Sequence, residues 1–381
     1  NVWEGNIYMT GGRPSTNFSV SSGSLENSGD ISGYSQEVRF NGYGNGLQLS
    51  GDSAYSHSSY LYGTVLVSGS LTSSYLINYA TLDVTGTLGS VNYNAATIDV
   101  AATGTVGNVQ NNNGILDVTG TVGNVSDNRA TIRGTGVLGN VSNSSSGTLT
   151  PGPESEAGVL DIGSLSTSGT YVVDLDGTTP GDGAGYHDQL NVTGTVALGG
   201  NLQLNVGYAP AIGSQHVIIN NDDTDAVTGN FSGMYEGSLL VLGTHVFQIT
   251  YQGGDGNDVV LERIPANVWD GAPDGGGTSL NANWTTGENW VGDVAPSAGD
   301  YLVFPAGVTA NQDNTNDFDP GTPFGSIQIL GSGYVLGGVN SVVLGGGITN
   351  SGANQVGFGL TLGADQAIVS SGDLTLGGEV D

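Results

Sequence analysis

The chain has 381 residues, 35 of them acidic and 5 basic, for a net charge of −30. All five basic residues are arginine, and neither lysine nor cysteine occurs; this excludes disulfides and thiol chemistry and argues against nucleic acid or an anionic membrane as a partner. No stretch approaches the roughly 18 apolar residues of a membrane helix, and a surface this acidic suits divalent cations or a salty external medium.

Residues 1–60 are rich in Ser, Gly and Tyr, with short alternating pieces such as Gln36 to Phe40 and Leu47 to Leu49. They are expected to form irregular first coils that cap a stack. No signal peptide precedes Asn1, so the chain reads as a processed form or a piece of something longer.

Residues 61–153 carry the pattern around which the rest is organised. Each line opens with an apolar β-former, passes a Gly-Thr or Gly-Val step and closes in Asn and Ser. The opening aliphatics are Leu82, Ile98, Leu116, Ile132 and Leu149, at steps of 16, 18, 16 and 17 residues, with a weaker copy marked by Leu66. This period is too short for a helical pair and fits one coil of a β-solenoid. Leu82 and Val84, then Leu88 and Val91, alternate with small polar residues as in strands with one buried face. The runs Asn92 to Asn94, Gln110 to Asn113 and Asp127 to Asn128 are expected to stack as side-chain ladders at one edge.

Strands lengthen over 154–264, where LQLNV (202–206) and VFQITY (246–251) alternate clearly. Either the solenoid widens there or the module ends in a small β-sandwich. At 265–381 the text restarts: Asn267 to Gly271 (NVWDG) echoes Asn1 to Gly5 (NVWEG), and new solenoid-like strands follow. The fold class is therefore all-β, a parallel β-helix with coils of about 16–18 residues, followed by the start of a second β-solenoid-like module.

Oxygen-rich loops are the candidate metal sites. Gly253 to Leu261 (GGDGNDVVL) matches the nonapeptide of calcium-binding β-rolls, which makes Asp255, Asn257 and Asp258 possible Ca2+ ligands. Only one copy is present, whereas a β-roll site draws on successive repeats, so a tight turn feeding a strand competes with that reading. Asp222, Asp223 and Asp225 concentrate three carboxylates on one loop, and Asp313 to Asp319 gathers further oxygens without the spacing of an EF-hand. The four histidines, His57, His187, His216 and His245, show no metal-binding spacing. Asp174 and Asp176 could form the carboxylate pair of a glycoside hydrolase, although exposed acids are ordinary in so acidic a chain. A polysaccharide lyase, which needs a cationic base or a cluster of cations, has nothing here to use. No catalytic residue and no cofactor other than this possible calcium is expected.

The strings TLTPG, YVVDLDGTTPG from Tyr171, YHDQLNVTGTVALGGNLQLNV from Tyr186 and YQGGDGNDVVL resemble bacterial autotransporter-associated β-strand repeat proteins. NVWDG and NANWTTGENWVGDVAPSAGDYLVF resemble the opening of a repeat unit in the same large surface proteins. The similarity covers most of 80–320. It implies a right-handed parallel β-helix, secreted and displayed at the bacterial cell surface, and it supplies no common enzymatic activity. No translocator barrel is visible, so self-export is not implied. The expected role is extracellular and structural: a non-enzymatic building block that pairs with itself head to tail, or with neighbouring modules, in a fibre, sheath or layer. The alternatives are a surface adhesin whose β-helix stalk binds glycan or a host or cell surface, for which Tyr55, Tyr60, Tyr62 and Tyr75 are the candidate exposed aromatic cluster, and a polysaccharide hydrolase.

Overall fold

The protein is described by a computed structural model covering residues 2–3, 7–9, 16–20, 25–27, 31–33, 37–222, 225–242, 245–274, 277–363 and 368–381, with side chains from residue 39 onward except 41–46 and 55–57. It is a β-solenoid whose coils are stacked in parallel, and no α-helix occurs among the described residues. Two compact units divide it. The first comprises Asn1–Ala209, Gln215–Gly237 and Ile249–Leu261; the second comprises Pro210–Ser214, Ser238–Gln248 and Glu262–Asp381.

In the first unit the repeat read from sequence is the structural repeat. Leu82 pairs with Ile98, Ile98 with Leu116, Leu116 with Ile132 and Ile132 with Leu149, each across a parallel ladder. One buried aliphatic per strand position therefore stacks on its equivalent from coil to coil. Alternation sets which side it takes: in Thr97–Val100, Ile98 and Val100 are buried while Asp99 is exposed. The weaker copy upstream is shifted by one residue. Val65, fully buried, pairs with Leu82, whereas Leu66 pairs with Asp83 and is only half-buried. A one-residue slip in a strand exchanges its two faces, so the 16-residue count selects the outward residue.

The asparagines form the expected ladder, and its members are buried inside the coil. Asn78, Asn94, Asn112, Asn128 and Asn143 are all buried. Each donates from Nδ2 to Oδ1 of the next, at 2.8, 2.7, 2.7 and 2.8 Å. Asn143 ends the row on Thr167 Oγ1 at 3.1 Å. The same Nδ2 atoms reach backbone carbonyls of the following coil, for example Ile115 O and Thr131 O at 3.1 Å each. A buried amide is tolerated when its donors and acceptor are used, and here the row closes the bend between two strands of every coil. A second row runs along an exposed corner, where the Asn124 and Asn140 backbone N–H groups donate to Asn108 Oδ1 and Asn124 Oδ1, both at 2.8 Å.

Glycine is required where coils meet most closely. Gly134 has φ +123°, and a Cβ there would lie 2.0 Å from Val118 O.

Beyond residue 154 the coils widen while keeping parallel pairing. Tyr171 pairs with Leu202 and Leu190 with Ile219, so about thirty residues now separate equivalents, from 171 to 202 and from 190 to 219. The extra length is the loop between Leu175 and Gln189 in the first of these steps and the stretch between Val206 and Gln215 in the second. Parallel stacking goes on to Thr228–Gly229, which favours the widened solenoid for this stretch over a sandwich.

The second unit begins with an antiparallel pairing of Leu239–Leu242 against His245 to Gln248 and continues as three parallel sheets. Each later coil adds one strand to each sheet, as in Ile327–Ile329, Val335–Gly337 and Val342–Leu344. Its core is aromatic. Trp269, Trp284 and Trp290 are fully buried with Phe304, Phe324 and Tyr334. Trp284 Nε1 donates to Asn314 Oδ1 at 2.7 Å and Trp290 Nε1 to Trp284 O at 2.8 Å, so these two indoles bury without losing their hydrogen bonds, whereas Trp269 Nε1 is buried without a hydrogen-bond partner.

Candidate functional site

The two acidic stretches singled out for calcium, 35 residues apart in sequence, meet at one corner of the first unit. Asn257 Nδ2 donates to Asp222 O at 3.3 Å and to Asp225 O at 3.0 Å, and Asn221 Nδ2 also bonds Asp225 O. Asp258 is buried, and its Oδ1 accepts the Asn221 N–H at 2.9 Å. Burial raises the Asp258 pKa, with the Asn221 N–H bond opposing and the nearby Asp255 charge adding to the rise. Gly254, at φ +56°, brings the turn so close that a Cβ there would lie 1.7 Å from Asp258 Oδ2. Asp258 and the carbonyls of Asp222 and Asp225 thus face amide donors of the protein. Asp223 lies outside the described residues. Along Asp313 to Asp319, Asn314 holds Trp284, Asn316 donates to Asn340 O at 2.8 Å, and Asp317 accepts the Thr285 N–H at 2.9 Å. Among the described residues, no group of three or more His, Asp or Glu side chains is placed to hold a metal ion.

A polar cluster that spacing did not reveal lies buried where the coils widen. Asp188, fully buried, accepts the Gly158 N–H at 2.7 Å on one oxygen and the Asp174 N–H at 2.9 Å on the other. It therefore clamps the end of the 176–187 loop to two neighbouring strands. Desolvation pushes its pKa up to about 8 against those two hydrogen bonds. His187 and His216 pack ring edge to ring face with centroids 5.3 Å apart, and the Tyr208 hydroxyl meets His216 Nε2 at 2.5 Å. Burial lowers both histidine pKa values, that of His216 to about 4. Asp174 is nearly buried, but its Oδ1 accepts from Nδ2 of the exposed Asn205 at 2.6 Å; only its backbone bonds Asp188, while Tyr171, Val173 and Leu175 take the inward positions of the strand.

Asp83, Asp99 and Asp117 occupy one outward column on successive coils. The pKa of Asp99 is raised by partial burial first and then by the two flanking carboxylates. Arg133 ends the column, with Nε 2.7 Å from Asp117 and Nη1 3.2 Å from Glu154. A cleft of about 310 Å³ beside it is lined by Asp117, Thr119, Thr135, Glu156 and Asp182, and Asp182 Oδ1 there accepts the Val159 N–H at 3.0 Å.

Tyrosines gather on the outer face of the coils around residue 77. Tyr60 pairs with Ile77 and Ile77 with Tyr93; Tyr62 pairs with Tyr79. The Tyr62 and Tyr79 rings stack at 5.4 Å and 11°, and Tyr93 leans on Tyr79 at 6.4 Å. The side chains of Tyr55 and His57 lie outside the described residues.

Fold and sites together define a β-solenoid repeat protein held by backbone and amide ladders. No family model, no curated protein and no solved structure matches the chain.

Proposed function

We propose that this chain is an extracellular structural protein of the kind found in bacterial autotransporter-associated repeats, a non-enzymatic building block of a cell-surface fibre, sheath or layer. The observation that carries the reading is the continuous coil-to-coil bonding, in which one asparagine row and the strand ladders run through successive coils with little change of register. A stack of this kind is extended by adding another coil at its end, because each coil is bonded only to its neighbours. The strands Ile368–Ser370 and Leu374–Leu376 pair in parallel with Ile348–Asn350 and Asn354–Val356, the same coil-on-coil addition by which a further coil, from the same chain or from a second copy, would extend the stack.

Calcium fits this role as a bridge between the acidic surfaces of neighbouring copies, since among the described residues no group of three or more His, Asp or Glu side chains is placed to hold it within one chain. The test is electron microscopy of the purified protein with calcium and after chelation. Regular filaments or sheets are expected, and their loss on chelation would assign the metal a structural part. Separate rods under both conditions would refute self-assembly. No helix among the described residues is long and apolar enough to cross a membrane.

A further inference from the structure

We propose that the tyrosine face around Ile77 binds an uncharged glycan chain laid along the solenoid axis. Its members are Tyr60, Tyr62, Tyr75, Ile77, Tyr79 and Tyr93. In Ser70–Val84 the intervening Leu76, Asn78 and Ala80 are fully buried, so alternation turns Tyr75, Ile77 and Tyr79 outward. Tyr75 and Tyr79, on either side of Ile77 along one strand face, are 46% and 45% exposed, which is unusual for two large aromatics so close together. Stacked coils repeat at about 4.8 Å, close to the length of one sugar residue, so a chain of pyranoses can keep step with successive coils.

Charge decides the class of ligand. The chain carries 35 acidic residues, yet from Ser53 to Leu82 and again from Val84 to Ile98 there is no Asp, Glu, Lys or Arg. The only cation described at this face is Arg39, which lies 6.0 Å from the Tyr60 ring centre. An anionic polysaccharide would meet the field of a chain of net charge −30 with almost nothing to offset it. A cationic partner would find no carboxylate within the face itself. An uncharged sugar meets neither obstacle: its C–H faces pack on tyrosine rings, and its hydroxyls pair with the phenols and with flanking amides. Those amides are in place. Asn92 Nδ2 donates to Gln110 Oε1 at 3.1 Å and Asn113 Nδ2 to the Tyr93 hydroxyl at 3.0 Å, forming a polar margin beside the rings. The face lies on outward side chains of the coils and does not depend on end-to-end assembly.

Native affinity electrophoresis tests this, with gels containing hydroxyethylcellulose or dextran as neutral polymers and polygalacturonate as the anionic one, together with sedimentation on cellulose and chitin. The wild-type chain is expected to be held by at least one neutral polymer and not by polygalacturonate. Tyr79→Ala should weaken that binding about tenfold, the equivalent of one lost aromatic contact. Tyr79→Phe should stay near wild type, and Tyr235→Ala, at an exposed tyrosine elsewhere, should change nothing. Tyr75→Ala serves as the second variant if Tyr79→Ala fails to fold by circular dichroism. Absence of binding to every neutral polymer, or binding that survives both alanine variants, would overturn the proposal. So would self-association in sedimentation velocity that Tyr79→Ala abolishes, since the face would then be a contact between copies.

Discussion

Asn112→Ala probes the buried amide row at its centre. Asn112 is fully buried; it accepts from Asn94 Nδ2 at 2.7 Å and donates to Asn128 Oδ1 at 2.7 Å and Thr131 O at 3.1 Å. Truncation removes the Asn112 donor that Asn128 Oδ1 uses and leaves Asn94 Nδ2 with Ile115 O at 3.1 Å. A buried polar atom left unpaired costs about 1–3 kcal/mol. One acceptor stripped of its donor, one weakened donor and the small void left behind together come to about 3 kcal/mol. Asn112→Asp should cost more at neutral pH, because a second acceptor then faces Asn128 Oδ1. Coils of a repeat stack open locally, so the fitting assay is native-state hydrogen exchange. Opening free energies of the amides in Val109–Asn112 and Val125–Asn128 should fall by about 3 kcal/mol, with the second unit unaffected. Gln110→Ala, at an exposed residue one coil above Asn92, should stay within about 0.5 kcal/mol. Equal small effects from Asn112→Ala and Gln110→Ala would refute the idea that the buried row holds the register.

Stability should depend on pH through the buried cluster, with opposite signs for its members. His216 has its folded pKa depressed to about 4, so its contribution is complete above the unfolded value of about 6.5 and is lost as pH falls through 4; His216→Phe should flatten this acid limb in a thermal-melting series. Asp188 is raised to about 8, so its contribution is complete below about 3.9 and declines as pH rises through 8. Asp188→Asn should remove that alkaline decline, and an unchanged profile would deny Asp188 the burial assigned to it. Gly134→Ala places a Cβ 2.0 Å from Val118 O at φ +123° and should cost about 3 kcal/mol or more by denaturant unfolding. Trp284→Ala empties the middle of the aromatic core and should cost about 3–5 kcal/mol, read by the loss of a blue-shifted tryptophan emission. Arg133→Met removes the cation beside Asp117; the loss should be about 1 kcal/mol at low salt and shrink as salt is added.

The coil itself was legible in the sequence, because a buried aliphatic recurring every 16 to 18 residues is both the repeat in the text and the ladder in space. Leu82, Ile98, Leu116, Ile132 and Leu149 need no distant information to be aligned. Where the repeat weakened, the count failed by one residue at Leu66, since only pairing with the next coil fixes which of two adjacent apolar residues points inward. The asparagine runs announced a ladder, but which asparagine of each run it uses, and that Asn78 and Asn143 belong to it, depends on the bend between strands. Composition fixed the acidic character and the absence of thiol chemistry. Tertiary structure alone joined residues distant in the chain: Asp188 with Gly158, His187 with His216, and the 222–225 loop with the 255–258 turn. Each of these contacts crosses a widened coil, where the period breaks and the sequence carries no spacing from which to infer a partner. The tyrosine face stands between the two cases. Its residues are visible in the sequence, but their gathering on one outward surface follows from a register that only the stacked coils impose.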